Sequence, residues 1–345
     1  MLSYILKRLL LMVPTLIGVL TVTFVVVQFV PGGPVEQLMA EARMGKGGGE
    51  GSAYKAGRDS DAKQIAELKK LYGFDKPAHV RYFEMLSSFA RFDLGRSFLH
   101  NKDVWQLIKE KLPVSISLGL WAFLLTYLIS IPLGIAKAVR EGSRFDVATT
   151  LLVLIGFAIP GFVLGVFLIV LFAGGSFWEI FPLRGLTSDN WEQLSWPARI
   201  ADYFWHLTLP MICYVIGGFA TVTLLTKNTF IEELRKQYVL VARAKGLSQD
   251  RVLWKHVFRN ALIPLVTGFP AAFVFAFFGG SLLIETLFSL DGLGLLSYES
   301  IVRRDYPVVL GSLFLFTLIG LVVKLISDLL YVVVDRRVQF GSVAK

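Results

Sequence analysis

The chain has 345 residues, 54% of them hydrophobic, and a mean hydropathy of +0.61. That balance excludes an ordinary soluble domain and predicts membrane spans before any segment is drawn. The formal net charge of +9 would suggest nucleic acid in a soluble protein, but here it reports basic loops on one side of a membrane. The single cysteine, Cys213, lies in an apolar run, excludes an internal disulfide and reads as a small packing residue.

Residues 1–30 read as a short basic terminus (Lys7, Arg8) and a first span over about 9–30. A signal peptide has similar charge order, but its apolar core is about 7–15 residues. This run is longer and without a small-residue cleavage site, so it is expected to stay and to cross the hydrocarbon layer of about 30 Å. Pro31-Gly32-Gly33-Pro34 cannot continue a helix. The region 31–112 is the long hydrophilic part. Its Gly-rich stretch 45–51 is a flexible insertion, since no Gly-Lys-Ser/Thr opens a helix there. Ser60 and Asp61 can cap a helix bearing Ile65, Leu68 and Leu71, closed by Gly73. The segments 79–92 and 104–112 are two further amphipathic candidates, with Tyr82, Phe83, Phe89 and Trp105 placed to rest on the membrane surface or the spans.

The region 113–335 holds five more spans, near 114–136, 147–172, 207–226, 262–284 and 308–334. Lys137, Arg140 and Arg144 occupy one short turn, and Arg336, Arg337 and Lys345 the tail 336–345. The loop 227–261 adds Lys227, Arg235, Lys236, Arg243, Lys245, Arg251, Lys255 and Arg259, whereas the opposite short loops carry Arg184, Arg199, Arg303 and Arg304. The positive-inside rule then predicts six spans with both termini cytoplasmic and 31–112 periplasmic. The loop 173–206 is aromatic (Phe177, Trp178, Trp191, Trp196, Tyr203, Trp205), as an outer interfacial belt would be. His206 is expected to be structural rather than a proton relay. Pro132, Pro160 and Pro210, with Gly161 and Gly165, permit kinks and close helix approach. Lys324 and Asp328 are spaced to pair on one face of the last span, with a pathway role as the alternative.

The loop 227–261 is read as a rigid knob: a short helix through Tyr238 and Ala242, a turn at Gly246 with positive φ, and a second amphipathic run. In that run Val252, Trp254 and Phe258 share one side, with Arg251, Lys255 and Arg259 on the other. Such a knob suits docking into a soluble partner. No nucleophile–base pair, metal-ligand spacing or Walker A motif is present, so no catalytic residue and no metal site are assigned.

The run Tyr238-Val239-Leu240-Val241-Ala242-Arg243-Ala244-Lys245-Gly246-Leu247 resembles the EAA loop of ABC-importer permeases. Leu240 and Val241 stand where the Glu and first Ala would be, and Arg259 where many such permeases have Pro. Both departures look like the B-type subunits of dipeptide and oligopeptide permeases. Tyr72-Gly73-Phe74-Asp75-Lys76-Pro77, Asp93-Leu94-Gly95-Arg96-Ser97-Phe98, the stretch 280–294, Arg304-Asp305-Tyr306-Pro307 and Asp328-Leu329-Leu330-Tyr331 with Asp335-Arg336-Arg337 extend the resemblance along nearly the whole chain. The Gly-rich insertion and the sequence 31–34 look most like the Yej-type branch, associated with oligopeptides and microcin C.

The resemblance implies an all-α membrane protein with the six transmembrane helices of the type I ABC-importer fold and a helical periplasmic insertion between spans 1 and 2. It implies a binding-protein-dependent peptide importer of the bacterial inner membrane that is not itself an enzyme. ATP and Mg would be held by two cytoplasmic ATPase subunits, or one fused ATPase, and no cofactor by this chain. The other expected partners are a second, similar permease subunit, a periplasmic peptide-binding protein and membrane lipid, with no nucleic acid. Tyr238, Ala242, Arg243, Ala244, Lys245, Gly246, Leu247 and Arg259 would form the ATPase-coupling loop. Glu285, Asp305 and Tyr306 would belong to the translocation path or outer gate. For Glu285 a gate, a receptor for a peptide amino terminus and a solvated helix-end carboxylate stay open. A carboxylate at the C-terminal end of an outward span opposes the helix dipole, so a cation such as Arg303 or Arg304 is an expected partner. The competing classes are a secondary transporter, an intramembrane enzyme, and an ABC permease for another small solute such as nickel or opines. A secondary transporter would more often show repeated halves with a midplane ion site.

Overall fold

The computed structural model describes residues 2–29, 75–175, 177–278 and 282–334. The sequence 31–34, the Gly-rich stretch 45–51, the helix expected between Ser60 and Gly73, the positions 280 and 281 and the tail 336–345 lie outside the described residues. The helices are α1 (Leu2–Phe29), α2 (Ala78–Ala90), α3 (Val104–Val139), α4 (Arg144–Ala158), α5 (Gly161–Phe172) and α6 (Trp196–Leu234). They continue as α7 (Gln237–Ala244), α8 (Gln249–Ala261), α9 (Ile263–Phe278), α10 (Leu282–Leu287), α11 (Leu293–Val302) and α12 (Tyr306–Val334). Among the described residues the sole extended pairing is an isolated bridge between Arg96 and Asp103.

Four of these helices, α1, α3, α6 and α12, are long and apolar enough to cross a membrane. Two bent pairs, α4 with α5 and α8 with α9, raise the number to six if each pair is one span. The expected span 147–172 is therefore not straight: α4 and α5 meet at 93°. Ile159 is extended (φ −88°, ψ 117°) because the following Pro160 disfavours helical geometry in the residue before it. Gly161 and Gly165 then let α5 approach the chain closely. A Cβ on Gly161 would lie 2.7 Å from the Cys213 carbonyl oxygen, and one on Gly165 would lie 3.3 Å from Cys213 Sγ. The segment 104–112 is no separate surface helix either. It is the start of α3, which continues through Pro113 and buries Val104, Leu107 and Ile108.

The chain divides into two compact units. One, of the described residues 2–29, 75–111 and 296–321, packs α2 on α1 through a Thr21–Tyr82 hydroxyl contact of 2.6 Å and the Phe24 and Tyr82 rings, 5.4 Å apart. In the same unit Phe89 meets Phe314 of α12 with ring centroids 5.2 Å apart.

The other unit, of the described residues within 112–295 and 322–334, is built on two apolar clusters. Leu118, Leu207, Met211, Cys213, Ile284 and Phe288 form the first. Ile135, Phe230, Val239, Ala242, Val252 and Val257 are among the second, which ties α3 and α6 to α7 and α8. Beside the first cluster the Tyr203 hydroxyl contacts Ser117 Oγ and accepts from Trp121 Nε1 at 3.0 Å. Phe177, Trp178, Trp196 and Trp205 stay exposed, as interfacial aromatics do.

Candidate functional site

The knob is assembled from the end of α6 outward. Lys236 is extended (φ −73°, ψ 150°), which separates α7 from α6. The buried Glu233 carboxylate bridges that break, accepting from the Tyr238 hydroxyl at 2.7 Å and from the Lys236 ammonium. Asn260 Nδ2 donates to the same hydroxyl from α8 at 3.4 Å, so one phenol joins three helices. Burial pushes the Tyr238 phenol above its usual pKa, and the Glu233 carboxylate adds to the shift; at neutral pH it is a neutral donor.

Val239 and Ala242 face the apolar cluster beside Tyr238, while Arg243, Ala244, Lys245 and Arg259 are exposed. Leu240 and Val241 are also exposed, at 60% and 52%. Two apolar side chains and two cations thus face outward from one short helix and its C-terminal cap. Gly246 closes the helix at φ +83°, the left-handed conformation predicted from the sequence. Its N–H reaches the Arg243 carbonyl at 2.9 Å, and the Leu247 N–H reaches the Ala242 carbonyl at 3.3 Å. These paired bonds are a Schellman closure, with Leu247 half-buried behind it.

In α8, Arg251, Lys255 and Arg259 are exposed as expected, but Trp254 does not join Val252 on the inner side. The Phe258 N–H bonds to the Leu253 carbonyl, five residues back, and this widened turn resets the helical period. Trp254, two residues after Val252, lies on the opposite side of the helix from it and is 57% exposed, with its ring 5.1 Å from that of Phe258.

Glu285 is fully buried in α10, so the solvated-carboxylate reading does not hold. Oε2 accepts from the Leu295 N–H at 2.8 Å and Oε1 from the Tyr214 hydroxyl at 3.4 Å. Leu293 opens α11 and donates its own N–H to Ser115 Oγ at 2.8 Å. The carboxylate therefore lies at the positive N-terminal end of the next helix, which resolves the unfavourable placement at the end of its own. Gly292 and Gly294 make room for it, since a Cβ there would come within 2.7 and 2.9 Å of the carboxylate oxygens.

Asp305 belongs to the other unit and is equally buried. It accepts from Ser97 Oγ and from the Phe98 and Leu99 N–H groups at 2.9 and 3.4 Å, with His100 Nδ1 4.0 Å away. It thus clamps the turn 97–100 onto the start of α12. Tyr306 lines a cavity of about 260 Å³ in that unit with Arg81, Glu84, Phe24 and Pro307.

Three charged residues that the sequence reading treats as loop charges, or passes over, form a buried cluster. Asp146 Oδ1 is 3.2 Å from Lys137 Nζ, and Oδ2 is 2.8 Å from Lys227 Nζ and 3.1 Å from the Gly142 N–H. Lys137 is fully buried and also donates to the Asp146 carbonyl, Thr149 Oγ1 and Thr150 Oγ1. Elsewhere, His206 Nδ1 sits 2.8 Å from the Asp202 carbonyl, a structural placement. Lys324 is exposed.

The family described as "Binding-protein-dependent transport system inner membrane component" matches residues 130–340. The chain is 54% identical to the peptidoglycan transport system permease protein YejB of Agrobacterium fabrum, over 98% of both chains. It is 53% identical to the inner membrane ABC transporter permease protein YejB of Escherichia coli O157:H7, covering 98% of this chain and 99% of that one. Similarity extends to the oligopeptide transport system permease protein AppB of Bacillus subtilis, 33% identical over 99% of this chain and all of the relative.

Proposed function

The chain belongs to the family of binding-protein-dependent transport system inner membrane components, and on that premise we propose that it is one permease subunit of a peptide importer driven by ATP hydrolysis on separate subunits. Both termini and the knob 227–261 face the cytoplasm in this reading, and the regions 31–112 and 173–206 face the periplasm. A second, similar permease subunit completes the path, a periplasmic binding protein delivers the cargo, and ATP and magnesium are held by the partner ATPases.

The observation that carries this reading is the exposed face of α7, Leu240 and Val241 between cations, on a helix braced by Tyr238 and closed by Gly246. A rigid lever of this kind is of use to a chain moved by something soluble. ATP-driven closure of two ATPases would draw the two levers together and turn the path outward; hydrolysis would reset it. The relatives' names favour two related cargoes, oligopeptides and peptidoglycan fragments, which share a peptide portion.

The test is uptake into proteoliposomes holding the full assembly, with labelled oligopeptides and labelled peptidoglycan fragments offered in turn. ATP-dependent uptake that requires the binding protein supports the proposal. Cross-competition would assign recognition to the peptide portion. Uptake without ATPase subunits, driven by an ion gradient, would sink it in favour of a secondary transporter.

A further inference from the structure

Lys137, Asp146 and Lys227 stand on three helices, α3, α4 and α6. Each oxygen of the single carboxylate is taken by a different ammonium, so losing Asp146 would free two cations, whereas losing either lysine leaves one ion pair and unfastens one helix. Ionisable groups held this way within spans ask for a reason beyond solubility. Nearby contacts add to the attachment. Ser130 Oγ of α3 donates to the Phe219 carbonyl of α6 at 3.1 Å. A Cβ on Gly134 would stand 2.6 Å from Thr226 Cβ and 2.8 Å from the Thr223 carbonyl oxygen, so the two helices meet backbone to backbone. Lys227 then lies about two turns before the end of α6, where Glu233 grips Tyr238 and the knob begins.

We propose that Lys137, Asp146 and Lys227 are positioning residues for transport: they bolt α4 to the paired α3 and α6, so that a displacement of α7 enters all three helices as one lever. Without the Lys227 arm, α4 is held through Lys137 of α3 alone, and a displacement of α6 reaches it only indirectly. The Pro160 bend is the place where that relative movement is absorbed, because α4 and α5 are already separate rods there. The proposal rests on the reading of 227–261 as the ATPase-coupling loop.

The experiment uses the complete transporter in proteoliposomes and reads peptide uptake per ATP hydrolysed. Lys227→Met should assemble and hydrolyse ATP, but its uptake per ATP should fall about tenfold, within the range over which residues between two sites alter coupling. Lys227→Arg, which keeps the cation, should restore the ratio. A structural cluster alone would lower uptake and hydrolysis together through loss of folded complex and leave their ratio unchanged. Should Lys227→Met fail to assemble, the ratio is read in Lys227→Gln, whose shorter, uncharged side chain removes the ammonium while keeping a polar group in the site. An unchanged ratio in the variant that assembles, or failure of both to assemble, overturns the proposal. Failure of the importer reading is distinguishable, because the wild-type assembly itself would then show no ATP-dependent uptake.

Discussion

Asp146 and Glu285 are two buried acids of the same unit, and the protein neutralises them in opposite ways. Asp146 is met by two ammonium groups and a backbone N–H, Glu285 by the opening of a helix and a phenol. A helix terminus is a fixed dipole that cannot change partner, so Glu285 ties α10 to α11 in one arrangement. Lysine carries a point charge on a long, flexible stem, and a site built from two of them can hold a joint that has to bear displacement. The comparison therefore predicts a static fastening at Glu285 and a coupling one at Asp146.

The largest effect is expected at Asp146. Asp146→Asn leaves two cations facing a neutral amide, at a cost of about 3–5 kcal/mol typical of breaking a buried pair from one side. Thermal unfolding and membrane abundance of the assembled complex measure it. A loss no greater than that of Glu285→Gln would break the comparison.

Glu285→Gln comes next, at about 2 kcal/mol, because hydrogen bonds to a charged acceptor are lost and an NH₂ donor is turned toward backbone donors. Stability should fall while uptake per folded complex remains that of the wild type. Gly292→Ala should also destabilise, as its Cβ would meet the carboxylate. Combined with Glu285→Ala it should cost less than the two losses added, since the clash is then gone. A selective loss of uptake in Glu285→Gln, with unfolding unchanged, would return Glu285 to the path.

How much of this was legible beforehand follows from the range of each interaction. Gly246 could be read because the need for positive φ at a helix end is local. The apolar runs marked the spans for the same reason. Trp254 is exposed because it stands two residues from Val252, a spacing that puts the two on opposite sides of a helix. Lys137 and Lys227 were counted as loop charges because their partner Asp146 comes from a different helix, a pairing that local pattern does not encode. Glu285 lay between these cases. Its donor is Leu295, in the following helix, and the glycines at 292 and 294 were the available sign that something approaches closely there.

At the knob the expected effects on stability are smaller and those on coupling more telling. A Cβ on Gly246 meets nothing within 4 Å, so the cost of Gly246→Val is backbone strain alone. About 1–2 kcal/mol is expected for a side chain forced into the left-handed region, more than for Gly246→Asn. The complex should form, with ATPase attachment or uptake per ATP reduced. Normal attachment together with normal uptake would remove the lever from the account.

Tyr238→Phe gives the smallest expected loss of stability and the sharpest test of how the knob is fixed. The ring stays, so packing beside Val239 is kept, and the bonds to Glu233 and Asn260 are lost, about 1 kcal/mol for a neutral donor. Glu233 keeps the Lys236 ammonium, which limits the damage. The phenol's raised pKa means that its contribution is complete below the reference value of 10.0 and is lost only as pH rises through the folded value. The stability difference between wild type and Tyr238→Phe should therefore stay flat across neutral pH and narrow only in strong alkali. If the lever is rigid because three helices share one hydroxyl, Tyr238→Phe should lower uptake per ATP by more than its small stability loss suggests. Equal small losses in both would mean that the apolar contacts of Val239 and Ala242 alone hold α7 in place.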